Sequence, residues 1–240
     1  MIPKTIHYCW FGRGQMPKLA QKCIASWKKY LPEYEIKQWN EDNFDLDMYP
    51  YVREAYDRRK FAFVTDVVRL YAIYTEGGVY MDTDVEVLRP LDEFLKYHAF
   101  SGYESDGNVP TGIMASEKGG EWARWQLSLY DGRHFVDENG EIIPGTNVKI
   151  ITDSMVGRGF EKTGEFQYFQ DMIAMFPKDY FCPKHPASGH LELTENSATI
   201  HHFAGSWYSP RDKFVKWINT HGGFKMMRPL SRLYHKIKGD

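Results

Sequence analysis

Two aspartates separated by a single residue follow a short apolar stretch that begins with a pair of glycines. The block reads Gly77-Gly78-Val79-Tyr80-Met81-Asp82-Thr83-Asp84. Residues two apart in a regular strand face the same side, so Asp82 and Asp84 are predicted to point together. Like charges held this close repel one another unless a cation lies between them or one is protonated. The spacing therefore predicts a site for Mg²⁺ or Mn²⁺, which prefer oxygen ligands and also accept substrate phosphates.

The segment before these carboxylates is predicted to be a buried helix. Residues 61–75 are apolar at nearly every helical position, and the two glycines that follow are an expected stop signal. Asp66 and Arg69 interrupt this apolar surface three residues apart, so their side chains leave the helix on one face. An isolated pair of this kind is more often an internal ion pair that holds a helix to a sheet. Its position just before the paired aspartates favours a polar pocket shared with them.

Three motifs resemble one glycosyltransferase family, and they occur in the family's order. They are residues 2–12, Ile-Pro-Lys-Thr-Ile-His-Tyr-Cys-Trp-Phe-Gly; residues 60–90, which contain both features described above; and residues 201–207, His-His-Phe-Ala-Gly-Ser-Trp. The family is that of the sugar-binding-region, or family-32, glycosyltransferases. It includes bacterial capsular-polysaccharide synthesis proteins and yeast initiating mannosyltransferases, and it is distantly similar to the glucosylating clostridial toxins.

The resemblance implies roles for individual residues. Asp84 matches the more direct metal ligand, and Asp82 matches a position nearer the donor ribose and sugar. Asp66 and Arg69 match a helix pair that holds the donor sugar hydroxyls and the diphosphate. Trp10 matches an aromatic residue that stacks on the nucleotide base; without the resemblance, it would be assigned to the core.

The same resemblance completes the predicted donor and metal site. Tyr80 is assigned to donor binding, and Ser206 and Trp207 match positions where a closing loop meets the diphosphate. A histidine near the end of the motif region is expected to complete the cation site. Strand alternation allows only one of two adjacent histidines to face the metal, and we choose His202 over His201.

The implied activity is that of a metal-dependent, retaining hexosyltransferase. The donor would be a nucleotide-diphosphate sugar, and a UDP-sugar is expected. The acceptor would be a glycan or lipid-linked saccharide in bacterial surface polysaccharide synthesis. The alternatives are a toxin-like enzyme that modifies a protein and a non-catalytic nucleotide-sugar-binding module. A metal-dependent hydrolase or phosphotransferase would need a further base or a phosphate-binding glycine loop, and neither is recognisable. No protein nucleophile can be named; Asp153 and Asp171 are acceptor-side candidates by position alone.

Strand and helix patterns alternate along the chain and predict an α/β fold. Strands are predicted at 4–11, 34–39, 79–88, 98–103 and 109–116, and helices at 17–30, 50–59, 61–76, 121–131 and 165–176, with an irregular connection over 136–164. This order predicts a mostly parallel sheet flanked by helices, with ligands at the carboxyl ends of strands. The resemblance gives this architecture the name GT-A and places the domain at residues 1–210.

The remaining residues, 211–240, form a basic extension. Residues 213–239 contain seven Lys or Arg and no Asp or Glu, although the whole chain has a formal charge of −2. Their apolar residues follow helical spacing, at Leu230, Leu233, Tyr234 and Ile237. A basic amphipathic helix is typical of attachment to anionic membrane surfaces, and a solvated helix packed on the domain is the alternative. No other feature of the chain favours nucleic-acid binding.

The chain lacks a run of eighteen apolar residues and a signal-sequence pattern. We therefore expect a cytoplasmic protein, attached peripherally to the inner membrane face if the basic extension binds lipid. Cys9, Cys23 and Cys182 are odd in number and lack metal-binding spacing, which favours reduced thiols.

Overall fold

A seven-stranded sheet organises the computed structural model, which describes residues 1–104 and 107–205. The strands of this part of the chain are β1 (Thr5–Cys9), β2 (Glu35–Trp39), β3 (Gly78–Met81), β4 (Val85–Val87), β5 (Ala99–Gly102), β6 (Ile113–Ser116), β7 (Gln167–Phe169), β8 (Ile173–Phe176) and β9 (Thr199–His201). Its α-helices are α1 (Lys18–Tyr30), α2 (Pro50–Asp57), α3 (Phe61–Thr75), α4 (Glu121–Ser128), α5 (Asn147–Val156) and α6 (Lys178–Phe181).

The strand directions agree with the predicted α/β class. The large sheet has the order β2-β1-β3-β6-β5-β8-β7, and β4 pairs separately with β9. Strand β1 is parallel to β2 and β3, and β5 is parallel to β8, whereas β6 and β7 run antiparallel to their neighbours. Five of the seven strands of this sheet therefore share one direction. Because β1 and β3 are parallel, Trp10 and Asp82, which follow them, leave the sheet at the same edge.

Helix α3 is buried along most of its length, as its apolar sequence predicts. Val64, Val67, Val68 and Leu70 have no exposed surface, and the helix packs against β1, β3, α2 and α4. A helix that is apolar on most faces is stable only when its neighbours cover it. This packing carries the polar side chains of α3 into the interior beside the end of β3.

Two glycines connect α3 to β3 and allow the two elements to lie close together. Gly77 and Gly78 have φ angles of +72° and +119°, a region that side-chain-bearing residues rarely adopt. A Cβ atom on Gly78 would lie 2.5 Å from the carbonyl oxygen of Thr5. The glycine pair therefore lets β3 enter the sheet directly against β1, which fixes where Asp82 emerges.

Three predicted elements differ from the structure. The strand predicted at 79–88 is two strands, β3 and β4, with a turn between them in which the Val85 N–H donates to the Asp82 carbonyl at 2.9 Å. The helix predicted at 165–176 is wrong, because β7 and β8 form a hairpin whose turn residues Gln170 and Asp171 have positive φ angles. The connection predicted at 136–164 contains helix α5, whose first turn is capped by the Thr146 hydroxyl.

Some sequence-based expectations lie outside the described residues. The predicted domain boundary at 210, the basic extension at 211–240, Ser206 and Trp207 all fall there, and they stay predictions. The helices of the described ranges include none that is both long enough and apolar enough to cross a membrane. Cys9, Cys23 and Cys182 are free thiols, and all three are buried.

Candidate active site

The paired aspartates lie on a tight turn instead of a regular strand. Asp82 follows the last residue of β3, and its N–H donates to the Gly112 carbonyl at 2.8 Å. Asp84 directly precedes β4. The turn leaves 25% of the Asp82 side chain and 17% of the Asp84 side chain exposed. The two carboxylates therefore converge at the sheet edge, as predicted, but a turn brings them together and strand alternation does not.

A histidine from the end of the described chain joins the two carboxylates. Strand β9 is antiparallel to β4, with His201 in register with Val85, and this places the imidazole Nε2 3.3 Å from Asp84 Oδ1. Ligand atoms of Asp82, Asp84 and His201 lie within 4.8 Å of one another. Two carboxylates and one imidazole are ligands that Mn²⁺ and Mg²⁺ accept, so the residues present fit the predicted ion.

The electrostatics of Asp84 suit a metal ligand. Burial alone would raise its pKa, but the charge and hydrogen bond of His201, together with a 2.7 Å hydrogen bond from the Ala204 N–H, lower the pKa to about 2. Burial opposes the charged form of His201, whereas Asp84 raises the pKa of His201 well above its usual value. Asp84 is therefore a carboxylate at neutral pH, which is the form that binds a metal.

The geometry replaces the histidine chosen from sequence. His202 Nε2 lies 2.8 Å from Glu86 Oε2, and the same carboxylate oxygen is 3.0 Å from the Lys22 ammonium. Only one of the two adjacent histidines faces the aspartates, as alternation predicted, but it is His201. The register between β4 and β9 decides this, and a register between strands more than a hundred residues apart cannot be read from local sequence.

Arg69 connects helix α3 to the aspartate turn. Its Nη2 lies 3.2 Å from Asp66 Oδ1, and its Nη1 lies 3.3 Å from Asp82 Oδ1. Nη1 also donates to the Thr111 carbonyl, and Nε donates to the Thr65 carbonyl at 3.2 Å. Only 5% of the Arg69 side chain is exposed. The expected polar pocket shared between the helix pair and the turn is therefore confirmed.

Asp66 lies in the most enclosed part of this pocket. Burial raises the pKa of its carboxyl to about 7, even though the Arg69 charge lowers it, and Asp82 raises it further. The Arg69 guanidinium therefore pairs with both Asp66 and Asp82, so the group has a net charge of −1 when both carboxyls are ionised. The Asn147 side-chain N–H₂ donates to the Asp66 carbonyl at 3.3 Å, and the Tyr130 hydroxyl donates to Asn147 at 3.0 Å. Additional donors, such as sugar hydroxyls, would stabilise the ionised form of Asp66.

Tyr80 supports the turn and does not line its surface. Its side chain is almost fully buried, its hydroxyl donates to Asp82 Oδ1 at 2.6 Å, and its ring lies 4.8 Å from the Arg69 guanidinium. Burial raises the pKa of Tyr80 well above its usual value, so the hydroxyl remains a donor. The assignment of Tyr80 to donor binding is therefore corrected: it holds a carboxylate in place.

Trp10 lies at the predicted sheet edge and is only partly buried. Its backbone N–H donates to the Trp39 carbonyl at 2.9 Å, and its indole N–H donates to the Gly14 carbonyl at 2.7 Å. It is not among the buried residues of the core, which removes the alternative that it is a core tryptophan. Stacking on a nucleotide base stays a prediction for this residue.

Sequence reasoning missed several residues that build the site. His201 is the histidine that the sequence does not favour, whereas Thr111 and Asn147 carry no local signal because they contact α3 only through the fold. Of the acceptor-side candidates, Asp153 is exposed on α5 and pairs with Lys149 of the same helix at 2.5 Å. Asp171, the other candidate, is exposed in the turn between β7 and β8.

Comparison with known proteins agrees with the location of this site. Residues 17–101 match the family described as "Glycosyltransferase sugar-binding region containing DXD motif". This segment is therefore similar to the DXD sugar-binding region of that family. The matched segment contains helix α3 and the aspartate turn, and therefore Asp66, Arg69, Asp82 and Asp84.

Two curated relatives are yeast enzymes. Inositol phosphoceramide mannosyltransferase 3 of Schizosaccharomyces pombe is 30% identical over 125 residues, which are 49% of this chain and 34% of the relative. Mannosyl phosphorylinositol ceramide synthase CSH1 of Saccharomyces cerevisiae is 29% identical over 123 residues, which are 48% of this chain and 32% of the relative. The chain thus spans about a third of the length of these relatives. They agree with the mannosyltransferase branch of the predicted family; the capsular and toxin branches stay predictions.

A solved structure supports the fold. The PaToxG glycosyltransferase superposes with a TM-score of 0.50 at 16% sequence identity, covering 66% of this chain and 70% of that chain. A likeness at this identity concerns the fold alone. The mixed α/β fold, with its central sheet flanked by helices, is that of GT-A glycosyltransferases, as predicted.

Proposed function

We propose that this protein is a metal-dependent, retaining glycosyltransferase that moves a sugar from a nucleotide-diphosphate sugar to an acceptor hydroxyl. The observation that carries the proposal is the convergence of Asp82, Asp84 and His201 within 4.8 Å, beside a buried arginine that also contacts Asp82. A divalent-cation site beside a buried arginine suits a reaction in which a diphosphate leaves, because both cations can offset its developing negative charge. Retention of the donor's anomeric configuration rests on the family resemblance.

The proposed roles follow from charge and burial. Asp84 and His201, with Asp82, would hold Mn²⁺ or Mg²⁺, and the ion would offset the negative charge that develops on the departing diphosphate. Arg69 is a permanent cation fixed by two carboxylates, so it can orient an anionic or hydroxyl group without moving. Asp66 would accept hydrogen bonds from donor-sugar hydroxyls.

The names of the relatives suggest which substrates to test first. Both are mannosyl-transferring enzymes whose names include a phosphoinositol ceramide. On this basis we propose mannose as the first donor sugar to examine and a lipid-linked compound as the first acceptor. The family resemblance adds a UDP-sugar donor and a role in bacterial surface polysaccharide synthesis as further candidates.

Membrane attachment through residues 213–239 is a separate part of the proposal. The segment contains seven basic residues and no Asp or Glu, so it would favour anionic lipid, and salt would weaken this attraction. Flotation with neutral and anionic vesicles at low and high salt tests the idea. Equal recovery of unbound protein with both vesicle types at low salt would contradict it.

The activity itself is tested with a panel of nucleotide sugars. The purified chain is incubated with Mn²⁺ and each of several UDP- and GDP-linked hexoses, and release of the nucleoside diphosphate is measured. We expect release from a small subset of donors, and an α-linked product from an α-linked donor by proton NMR. Folded protein that releases nucleoside diphosphate from none of them would contradict the proposed function.

A further inference from the structure

A cavity of about 130 Å³ lies beside the metal centre and has no role in the chemistry described above. Its lining includes two lysines, two histidines, a serine and a cysteine: Lys178, Lys184, His185, His190, Ser188 and Cys182. Apart from one glutamate, the ionisable side chains around it are basic or weakly acidic. This composition is opposite in charge to the paired aspartates nearby.

Two contacts connect the cavity to the candidate metal centre. The Lys184 ammonium donates to the His202 carbonyl at 3.3 Å, one residue beyond the proposed metal ligand. Cys182 is buried, lines the cavity and also interacts with His201. The cavity therefore adjoins the residues at the end of β9, which include the proposed metal ligand His201.

The two lysines of the cavity are poorly neutralised. Lys178 lies 3.9 Å from Glu192, and both side chains are largely exposed, so their attraction is weak. Lys184 is half-buried, and among the ion pairs of the described residues it has none; its hydrogen-bond acceptor is a neutral carbonyl. Partial burial weakens the hydration of an ammonium group, so a nearby anion stabilises it. An anion would supply the missing partner.

The segment that surrounds the cavity is shaped by its own hydrogen bonds. The Glu192 N–H donates to the Pro183 carbonyl at 3.0 Å, and the His185 N–H donates to the His190 carbonyl at 2.8 Å. The backbone N–H of Ser188 donates to His185 Nδ1 at 3.2 Å, so in the neutral ring the proton is on Nε2. The loop thus presents an imidazole N–H donor together with the two ammonium groups.

We propose that this cavity binds a phosphate group of the acceptor, an inference that rests on the proposed function. The donor diphosphate is already provided for by the candidate metal site of Asp82, Asp84 and His201, none of which lines the cavity. Leu191 and Leu193, in the segment that follows the cavity lysines, are 42% and 53% exposed. Lys184 pairs with Leu191 across an antiparallel bridge, so cationic and apolar side chains lie in the same short segment. This combination suits an acceptor that has both a phosphate and a lipid chain.

The test measures phosphate binding without requiring turnover. Inorganic phosphate is titrated into full-length protein in EDTA, and the imidazole ¹H–¹⁵N resonances of His185 and His190 report occupancy. We expect saturable shifts, with an apparent affinity at least about tenfold weaker in the Lys178→Gln/Lys184→Gln double variant, because two charge-assisted hydrogen bonds are lost. Lys118→Gln, an exposed lysine at the opposite end of the sheet from the aspartate turn, is the matched control and should titrate like the wild type.

A second arm separates acceptor phosphate from donor diphosphate. The titration is repeated in saturating Mg²⁺ and the nucleoside diphosphate released in the donor panel, or UDP and GDP in turn if none is released. Phosphate affinity within about twofold of that in EDTA supports an acceptor site, because the donor site is then filled. Loss of phosphate binding in the presence of nucleoside diphosphate would overturn the acceptor assignment.

The remaining outcomes are equally decisive. Absence of saturable shifts in the wild type, or equal affinity in the wild type and the folded double variant, would overturn the proposed phosphate site. Neither result depends on sugar transfer, whereas the donor panel tests only transfer chemistry. Failure of this inference and failure of the proposed function are therefore distinguishable.

Discussion

The hydroxyl of Tyr80 donates a 2.6 Å hydrogen bond to Asp82, the first carboxylate of the aspartate turn. This contact runs from a fully buried strand residue to a partly exposed carboxylate. Arg69 contacts the same two residues, through an ion pair with Asp82 and a cation–π contact with the Tyr80 ring. The orientation of Asp82 is therefore set by the strand and helix beneath it, before any ligand binds.

Tyr80→Phe tests this support. Removing the hydroxyl leaves Asp82 with one hydrogen bond fewer, so we expect a loss of about 1–2 kcal/mol in the free energy of unfolding and about a tenfold fall in kcat/KM. Urea denaturation and donor-hydrolysis kinetics measure the two effects. Tyr168→Phe, at an exposed position on β7, is the control. Unchanged kinetics in folded Tyr80→Phe would show that Asp82 needs no such support.

The two adjacent histidines should have separable effects on metal affinity. His201→Ala removes an imidazole ligand from the aspartate site, so we expect Mn²⁺ affinity, measured by electron paramagnetic resonance, to fall at least about tenfold. His202→Ala removes only the contact with Glu86 and should retain wild-type affinity within about twofold. The reverse pattern would restore His202 as the ligand.

Trp10 is predicted to provide a stacking surface for the donor base. Trp10→Ala should weaken nucleoside diphosphate binding by about 1–3 kcal/mol, the usual effect of a lost base stack. Trp10→Phe keeps an aromatic face and should recover most of this affinity. Isothermal titration calorimetry in Mg²⁺ gives both values. Wild-type affinity in a folded Trp10→Ala variant would exclude stacking.

His7 should make stability depend on pH. Its ring is fully buried, accepts a hydrogen bond from the Trp39 indole at 3.1 Å and contacts the Gly77 carbonyl at 2.8 Å. Burial lowers its pKa, although the Gly77 carbonyl opposes this, so the folded state stays neutral at a pH where the unfolded chain binds a proton. Stability should therefore fall as the pH drops below about 6.5, by up to about 1.4 kcal/mol per pH unit from this group.

His7→Gln tests whether His7 causes this dependence of the free energy of unfolding on pH. Denaturant midpoints between pH 5 and pH 8 should depend less on pH in His7→Gln than in the wild type. His190→Gln, at an exposed position, should keep the wild-type slope. Parallel pH profiles for the wild type and folded His7→Gln would show that His7 is not held neutral.

The sequence predicted the parts of the site that depend on local pattern. Helix α3, its Asp66–Arg69 pair and the glycine stop follow from helical periodicity and glycine geometry, so their placement could be anticipated. The turn at residues 82–84 could not, because Val79 and Val85 read as parts of one apolar strand. The geometry that favours His201 over His202 could not be anticipated either, because it depends on the register of β9 against β4, a long-range property.

Two other misjudgements have physical causes. Tyr80 is predicted to bind the donor, but the pleat of β3 directs its side chain into the core. Residues 165–176 were predicted as a helix, but left-handed residues at Gln170 and Asp171 turn the chain into a hairpin. Apolar aromatic runs of this length suit both states, and the pairing of β8 with β5 decides between them.

The central claim is that a divalent cation at Asp82, Asp84 and His201 is required to break the sugar–phosphate bond of the donor. The most direct measurement is the rate of nucleoside diphosphate release from the accepted donor as free Mn²⁺ is varied with EDTA, for the wild type and Asp84→Asn. We predict saturable activation of the wild type, no release in excess EDTA and at least about a hundredfold lower rate in folded Asp84→Asn. Wild-type release that continues unchanged in EDTA, or wild-type turnover by Asp84→Asn, would contradict the claim.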